Sequence, residues 1–303
     1  MSRNWNRQNL TNTPVPRRNE SVAYDTSTGL VILFGGTGGI GLGHLNDTWG
    51  WNGQEWNQIQ SISAPSPRVD ASLAYHAISG KIVLFGGVDA DGQVLGDTWI
   101  WDGKKWTEQK SANTPSPRAG AVLVYDTARQ NLVLFGGTYT KGRIGNFLND
   151  TWIWDGRNWT EQKPANAPSP RFATGAVYDA IRSQILVVGG GPLGSRLDSD
   201  TWIWDGKNWS EQQTTNSPSL RLNANLIYDE ASQQVIFFGG SGYLTAFVDT
   251  WVWDGRNWIE QKGVTLPKAG RSSIVYDTKR QNVVLFVDGG DKQHRVAETW
   301  VGI

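Results

Sequence analysis

The chain has 303 residues, with 28 basic against 28 acidic side chains, so its formal net charge is zero and the electrostatic footprint of a nucleic-acid or membrane-surface binder is absent. It contains no cysteine, which excludes a disulfide framework, a thiolate metal site and a cysteine nucleophile. No run approaches 18 apolar residues and the start "MSRNWNRQNL" does not resemble a signal peptide, so no membrane span is expected and the cytoplasm is the default compartment.

In chain order the first recognisable phrase is "SRNWNRQ", whose Arg3-Asn4-Trp5 recurs far downstream as Arg256-Asn257-Trp258 in "GRNWIEQ". Arg17 then opens a unit that repeats through the chain, with a tyrosine seven residues later in Arg17–Tyr24, Arg68–Tyr75, Arg118–Tyr125, Arg171–Tyr178 and Arg221–Tyr228. A sixth, degenerate copy reads "PKAGRSSIVYD", with Lys268 in the arginine place and one residue inserted before Tyr276. Within a unit, "GAVLVYD" reads as a first strand, "DTARQN" as a polar turn, and "LVLFGG" as a second, apolar strand whose glycines permit a sharp exit. A variable loop follows. "DTWIWDG" is a third strand of alternating faces, Asp-Gly signals a tight hairpin, and "NWTEQK" is a fourth strand ended by an Asn/Pro/Ser-rich linker such as "SANTPSP".

The acid of the D/E-T-W phrase falls at Asp47, Asp97, Asp150, Asp200, Asp249 and Glu298, spaced by 50, 53, 50, 49 and 49 residues. No segment shows a 3.6-residue apolar period, so the chain is all-β. Six four-stranded antiparallel units near 50 residues long predict a six-bladed β-propeller occupying residues 1–303 as one domain. The repeats run over about 17–65, 68–115, 118–168, 171–218, 221–267 and 268–303. The last one stops at "AETWVGI", before its fourth strand, and "SRNWNRQ" supplies what is missing. Residues 1–13 are therefore expected to form the outer strand of the last blade and to close one complete ring, which removes exposed sheet edges. The 17 tryptophans fit: six in D/E-T-W, five two residues later, and six on fourth strands, with Gly302 in the one vacant place. The D/E-T-W tryptophans are expected to pack blade against blade.

An arginine at the start of each unit, an apolar strand ending in Gly-Gly, and a later Trp-Asp-Gly and Trp resemble the kelch repeat over essentially the whole chain. The resemblance implies the propeller fold, like the central domain of galactose oxidase, and says little of function, since such propellers serve enzymes and adaptors alike. It also implies what is missing. The copper oxidase of this type needs a cysteine cross-linked to tyrosine, and the E-x-x-x-D-x-x-x-H iron pattern of kelch nitrile specifiers is absent.

Alternating strand direction places the variable loops, the D/E-T-W acids and the opening arginines on one face, and the Asp-Gly hairpins on the other. Six cations, Arg17, Arg68, Arg118, Arg171, Arg221 and Lys268, then converge near the central channel; two of them about 10 Å apart repel by ~1.7 kcal/mol at an effective dielectric near 20. Two readings stand open. Each cation pairs with a third-strand acid, or some of them hold an anionic ligand, bidentate to carboxylate or phosphate. The resemblance supports the second, because kelch domains that capture acidic peptides use cations at and near this position. Just inside the ring the units diverge at Asn19, Asp70, Gly120, Ala173 and Asn223, which suits a pocket for one particular ligand. Loop aromatics Tyr139, Phe147, Tyr243 and Phe247 either stack on a sugar or peptide or pack the loops onto the blades.

Three motifs carry less. "GTGGIG" at Gly36–Gly41 follows a strand, but no helix comes after it to bind a pyrophosphate. "DADG" at Asp89–Gly92 has too few carboxylates for a calcium loop. His44 and His294 are weak metal candidates with Asp288 or Asp291, so no metal and no cofactor are expected. The function read from these residues is a monomeric, non-enzymatic binding module for a protein or peptide segment, an acidic one among the options, or for a carbohydrate. The alternatives are a sugar-directed isomerase or lyase using Glu20 or Asp70 in the channel mouth, and a glycan-binding lectin.

Overall fold

Six four-stranded antiparallel sheets, one of them with a short fifth strand, stand around a central channel in the computed structural model, which describes residues 5–39, 41–139, 146–191, 199–242, 246–262, 272–290 and 295–302. The chain is all-β and no helix occurs among the described residues. The first blade comprises Ser21–Asp25, Leu30–Phe34, Thr48–Trp51 and Trp56–Ile59 in that order from the channel outward. First strands of successive blades touch one another all the way round, the sixth against the first. The ring is closed, and Trp5–Arg7 completes the sixth blade by pairing antiparallel with Arg295–Gly302.

Each second strand is sandwiched between two neighbouring blades, which explains its unbroken apolar run. Alternation sorts its side chains: Val31 and Leu33 pack with Val284 and Phe286 of the sixth blade, whereas Ile32 and Phe34 pack with Ile82, Leu84, Trp101 and Trp106 of the second. The core is thus a set of interfaces between blades, and no blade buries its apolar faces alone.

Tryptophans form the outer part of these interfaces. In the first five blades the second tryptophan of the third strand and the tryptophan of the fourth are at most 1% exposed, and they meet as tilted pairs such as Trp154–Trp159, 5.2 Å between ring centroids. The D/E-T-W tryptophans lie on the same face but nearer the loops. Trp49 is buried, whereas Trp99, Trp152, Trp202, Trp251 and Trp300 are half-buried, and each donates its indole N–H to the acid two residues before it, as Trp152 does to Asp150 at 2.7 Å. At five seams the fourth-strand indole N–H reaches the threonine of the preceding blade: Trp56 to Thr299, Trp106 to Thr48, Trp159 to Thr98, Trp209 to Thr151 and Trp258 to Thr201, at 2.8–3.0 Å. The sixth seam lacks this clasp, because Trp5 Nε1 and Thr250 Oγ1 are both buried without a partner. Opposite Trp5 stands Gly302, in the place of the second tryptophan.

The hairpin face is locked differently. Asp126, Asp179 and Asp277, all fully buried, hold Arg129, Arg182 and Arg280, and two of these arginines reach the next blade's hairpin, Arg129 to the Asp205 carbonyl and Arg182 to the Asp254 carbonyl.

Two stability predictions arise here. Thr98→Val should cost about 1–3 kcal/mol by stranding the buried indole N–H of Trp159, whereas Thr250→Val, which breaks no such bond, should be near neutral in the same urea titration. Deleting residues 1–13 removes the ladder to Arg295–Gly302 and the bond from Asn12 Nδ2 to the Trp56 carbonyl. The melting temperature should fall cooperatively by on the order of 5–10 °C; a shift of only a degree or two would contradict the closure.

Candidate functional site

The loop-bearing face begins with the opening arginines. Five of them are at most 2% exposed, and each grips its third-strand aspartate through both terminal nitrogens: Arg17 with Asp47, Arg68 with Asp97, Arg118 with Asp150, Arg171 with Asp200 and Arg221 with Asp249, at 2.5–2.9 Å. The remaining donors are also used. Arg118 gives Nε to the Ser116 carbonyl, Nη1 also to the Gly136 carbonyl and Nη2 also to Ser116 Oγ, and Arg68, Arg171 and Arg221 do the same with their own glycine and serine. Those four guanidiniums thereby engage all five N–H groups. Arg17 engages four, since Val15 stands where the others have serine. At these five positions the geometry is that of the pairing alternative, with no donor left over for an anion at four of them. Lys268, the sixth cation, lies outside the described residues.

Each aspartate also accepts its indole N–H. Burial alone would raise the carboxyl pKa of Asp47, Asp97, Asp150 and Asp249, but the hydrogen bonds and charge of the facing arginine, joined by the indole, hold all four below the ordinary value. The Gly-Gly turns complete the arrangement. Gly86 has φ 67° and a Cβ there would lie 2.3 Å from the Arg118 carbonyl of the next blade, so only glycine allows the approach that its neighbour Gly87 uses to donate to that carbonyl at 2.9 Å.

Inside this ring, Asn19, Asp70, Gly120, Ala173 and Asn223 share one conformation, the left-handed region with φ between 51° and 61°. Their backbones form a chain around the mouth: Asp70 N–H donates to Asn19, Gly120 to Asp70, Ala173 to Gly120 and Asn223 to Ala173, at 2.9–3.1 Å. The divergence seen in the sequence has this conformational cause, since Asn, Asp and Gly tolerate the region best. These residues also wall a cavity of about 220 Å³ at the mouth, together with Glu20, Thr174, Asn225, Ser272 and Ser273. Small side chains such as Ser21, Ala71, Ser72 and Ala121 line its continuation down the channel. Among the described lining residues the only charges are acidic. Asp70 accepts from Asn19 Nδ2 at 2.5 Å, and Glu20 accepts from Ser273 Oγ at 2.7 Å.

Glu20 is the exception in its row. The other described blades carry Ala71, Ala121, Thr174 and Ala224 at that position. Burial pushes the Glu20 carboxyl above the ordinary glutamate value, despite the Ser273 hydroxyl and the positive charge of Arg17.

The loop aromatics divide. Phe147 stacks on Phe172 at 5.3 Å, and Phe247 covers the Arg221 guanidinium at 3.8 Å, so both pack the loops down. Tyr139 is 44% exposed, and Tyr243 lies outside the described residues. His44 is half-buried in a bridge to Thr37, His294 lies outside the described residues, and no group of three metal-ligating side chains occurs among those described. Sequence reasoning missed the opening serines, whose signal is the repeated Pro-Ser-Pro/Leu-Arg, and the hairpin arginines, whose signal is Tyr-Asp followed by arginine three residues after the aspartate.

A family model described as the KLHDC2/KLHL20/DRC7 Kelch-repeats domain matches residues 51–206, roughly half of the chain. No curated protein matches it.

Replacing Arg118 with Ala strands the Asp150 carboxylate and should cost about 3–5 kcal/mol in urea unfolding. A loss below about 1 kcal/mol would return this arginine to ligand duty. The pH dependence has a fixed sign. Because the four aspartates bind protons less readily when folded, the stability they provide is complete above the ordinary value of 3.8 and is lost as pH falls through it toward the lowered folded values.

Proposed function

The chain belongs to the kelch-repeat family, whose propellers commonly serve as protein-interaction modules, and from that premise we propose that it is a binding module seating a segment of another protein across the loop-bearing face. One observation carries the reading: Glu20, a carboxylate held at the channel mouth at an energetic cost, where four other blades make do with alanine or threonine. The mouth offers acceptors on Glu20 and Asp70 and amides on Asn19, Asn223 and Asn225, all facing one cavity. A side chain rich in donors, such as a hydroxyl, an amide or an ammonium, is the group that this wall receives. The two raised hairpins, formed by Lys81–Asp89 with Val94–Trp101 and by Asn282–Gly290 with Arg295–Gly302, flank blade 1 and bound the face on either side of Glu20.

Glu20→Ala separates function from stability. Peptides selected on the wild-type protein from a displayed library should bind the variant at least 10-fold more weakly, while Lys104→Ala on the opposite face leaves them unaffected. The same Glu20→Ala variant should be more stable than wild type near neutral pH, because a raised pKa in the folded chain disfavours folding wherever the unfolded chain ionises the group. That gain should vanish below the ordinary glutamate value of 4.5, where the group is protonated in both states. Selected peptides that bind Glu20→Ala as tightly as wild type would defeat the proposal. Glu20 also favours a second reading, a sugar isomerase or lyase with this carboxyl as its acid or base; turnover of a sugar by wild type that is lost in Glu20→Gln would establish it instead.

A further inference from the structure

The hairpin face carries one break in its repeat. Five first strands end on a buried aspartate, Asp25, Asp126, Asp179, Asp229 and Asp277, whereas that of the second blade ends on His76. His76 is only 1% exposed.

The imidazole stands in for a carboxylate. Elsewhere the aspartate accepts a backbone N–H from the turn that follows, as Asp126 accepts from Arg129 and Asp277 from Arg280, both at 3.1 Å. His76 Nδ1 accepts the corresponding N–H of Ser79 at 3.3 Å, with Ser79 Oγ 2.9 Å away. A backbone N–H can only donate, so Nδ1 carries a lone pair and the neutral ring keeps its hydrogen on Nε2. That second nitrogen is buried without a hydrogen-bond partner.

Blade 3 closes over the ring. Tyr125 meets it edge-on at 5.6 Å between centroids, and the Tyr125 hydroxyl accepts the Ile78 N–H of the same turn. A Cβ on Gly156, whose φ is 98°, would lie 2.9 Å from His76 Cε1, so the hairpin comes as close as glycine permits. His76 thus takes the place that Arg129 and Arg182 hold at the next two seams, where Gly206 and Gly255 pack against them. The charged side chains on the elements around it are Lys81, its cross-strand partner, with Arg129, Asp155 and Arg157 of blade 3. Burial pushes the His76 pKa below the ordinary value of 6.5, against the Gln130 carbonyl and the Asp155 charge, which favour the proton.

We infer that His76 is a pH-sensitive latch between blades 2 and 3, closed by the neutral imidazole and released when the ring becomes imidazolium. Both nitrogens then donate, so the Ser79 N–H loses its acceptor and a charge is left inside the seam. The Asp126–Arg129 and Asp179–Arg182 pairs hold the next two seams with their charges already matched. The latch goes beyond the binding reading, since it lies on the opposite face. Its sign follows from the direction of the shift. The folded chain binds this proton less readily than the unfolded one, so the stability it provides is complete above 6.5 and is lost as pH falls through that value toward the lower folded one.

The test follows the His76 ring by NMR in the intact protein between about pH 7.5 and 5, with amide hydrogen exchange at Ser79 and Arg129 measured alongside. His76 should titrate below 6.5. Protection of the Ser79 amide should fall several-fold relative to the Arg129 amide, by at most about 10-fold per pH unit below the ordinary histidine value. The Arg129 amide, held by Asp126 at the neighbouring seam, is the control within the same molecule. His76→Asn supplies an acceptor that does not titrate and should keep Ser79 protected over the whole range, once urea unfolding near neutral pH shows that it folds. The wild-type measurements need no variant. A His76 midpoint at or above 6.5, equal losses at Ser79 and Arg129, or the wild-type loss persisting in His76→Asn would overturn the latch.

Discussion

The buried, bidentate arginine–aspartate pair is the interaction on which the loop-bearing face is built. Removing a guanidinium and a carboxylate from water costs several kcal/mol per ion, and the cost is offset only when every remaining donor and acceptor finds a partner. The repeat supplies those partners locally. The serine two residues before the arginine takes two donors, a Gly-Gly carbonyl takes one, and the D-T-W indole satisfies the aspartate. One pair thereby ties together the linker, the second-strand exit and the third-strand start of its own blade. The arginine's backbone carbonyl in turn accepts from the preceding blade's Gly-Gly turn.

Completeness of this pairing decides where recognition is possible. A cation whose five N–H groups are all engaged has no orbital-directed bond left to offer, however close it lies to a channel. The repeat is broken at two places on this face: Glu20 stands in a row of small residues, and Arg18 and Arg295 share the Asp288 carboxylate. Local destabilisation at a site, carried by a scaffold of repeated and fully satisfied interactions, is the usual trade between stability and binding. The mouth and the blade 6–blade 1 seam adjoin through Asp288, whose negative charge reaches Glu20.

Much of the architecture was legible in the amino-acid order because the propeller writes it six times. Period-two alternation, glycine pairs and Asp-Gly turns mark the strands, and the "RNW" match between the N-terminus and the fourth strands foretold the pairing of Trp5–Arg7 with Arg295–Gly302. What did not show was depth along a strand. Trp152 and Trp154 alternate onto one face, yet the second is fully buried against Trp159 and the first is half-buried beside Asp150. Nor did residue types reveal how many donors an arginine has left. Arg17 and Arg18 are adjacent and identical in chemistry, and only the Val15 and Gly35 carbonyls and the Asp47 carboxylate around Arg17 mark it as the structural one of the two. The differences at Asn19, Asp70 and Asn223 looked like specificity, and in the fold they also answer to a backbone held at positive φ.

The central claim is that the opening arginines are sealed into the scaffold while Arg18 is open. Hydrogen exchange at the arginine Nη–Hη groups, followed by NMR in the ligand-free protein, tests it most directly. Arg17, Arg68, Arg118, Arg171 and Arg221 should exchange orders of magnitude more slowly than an exposed guanidinium, with Arg18 markedly faster than all five. Opening arginines that exchange as fast as Arg18 would contradict the account.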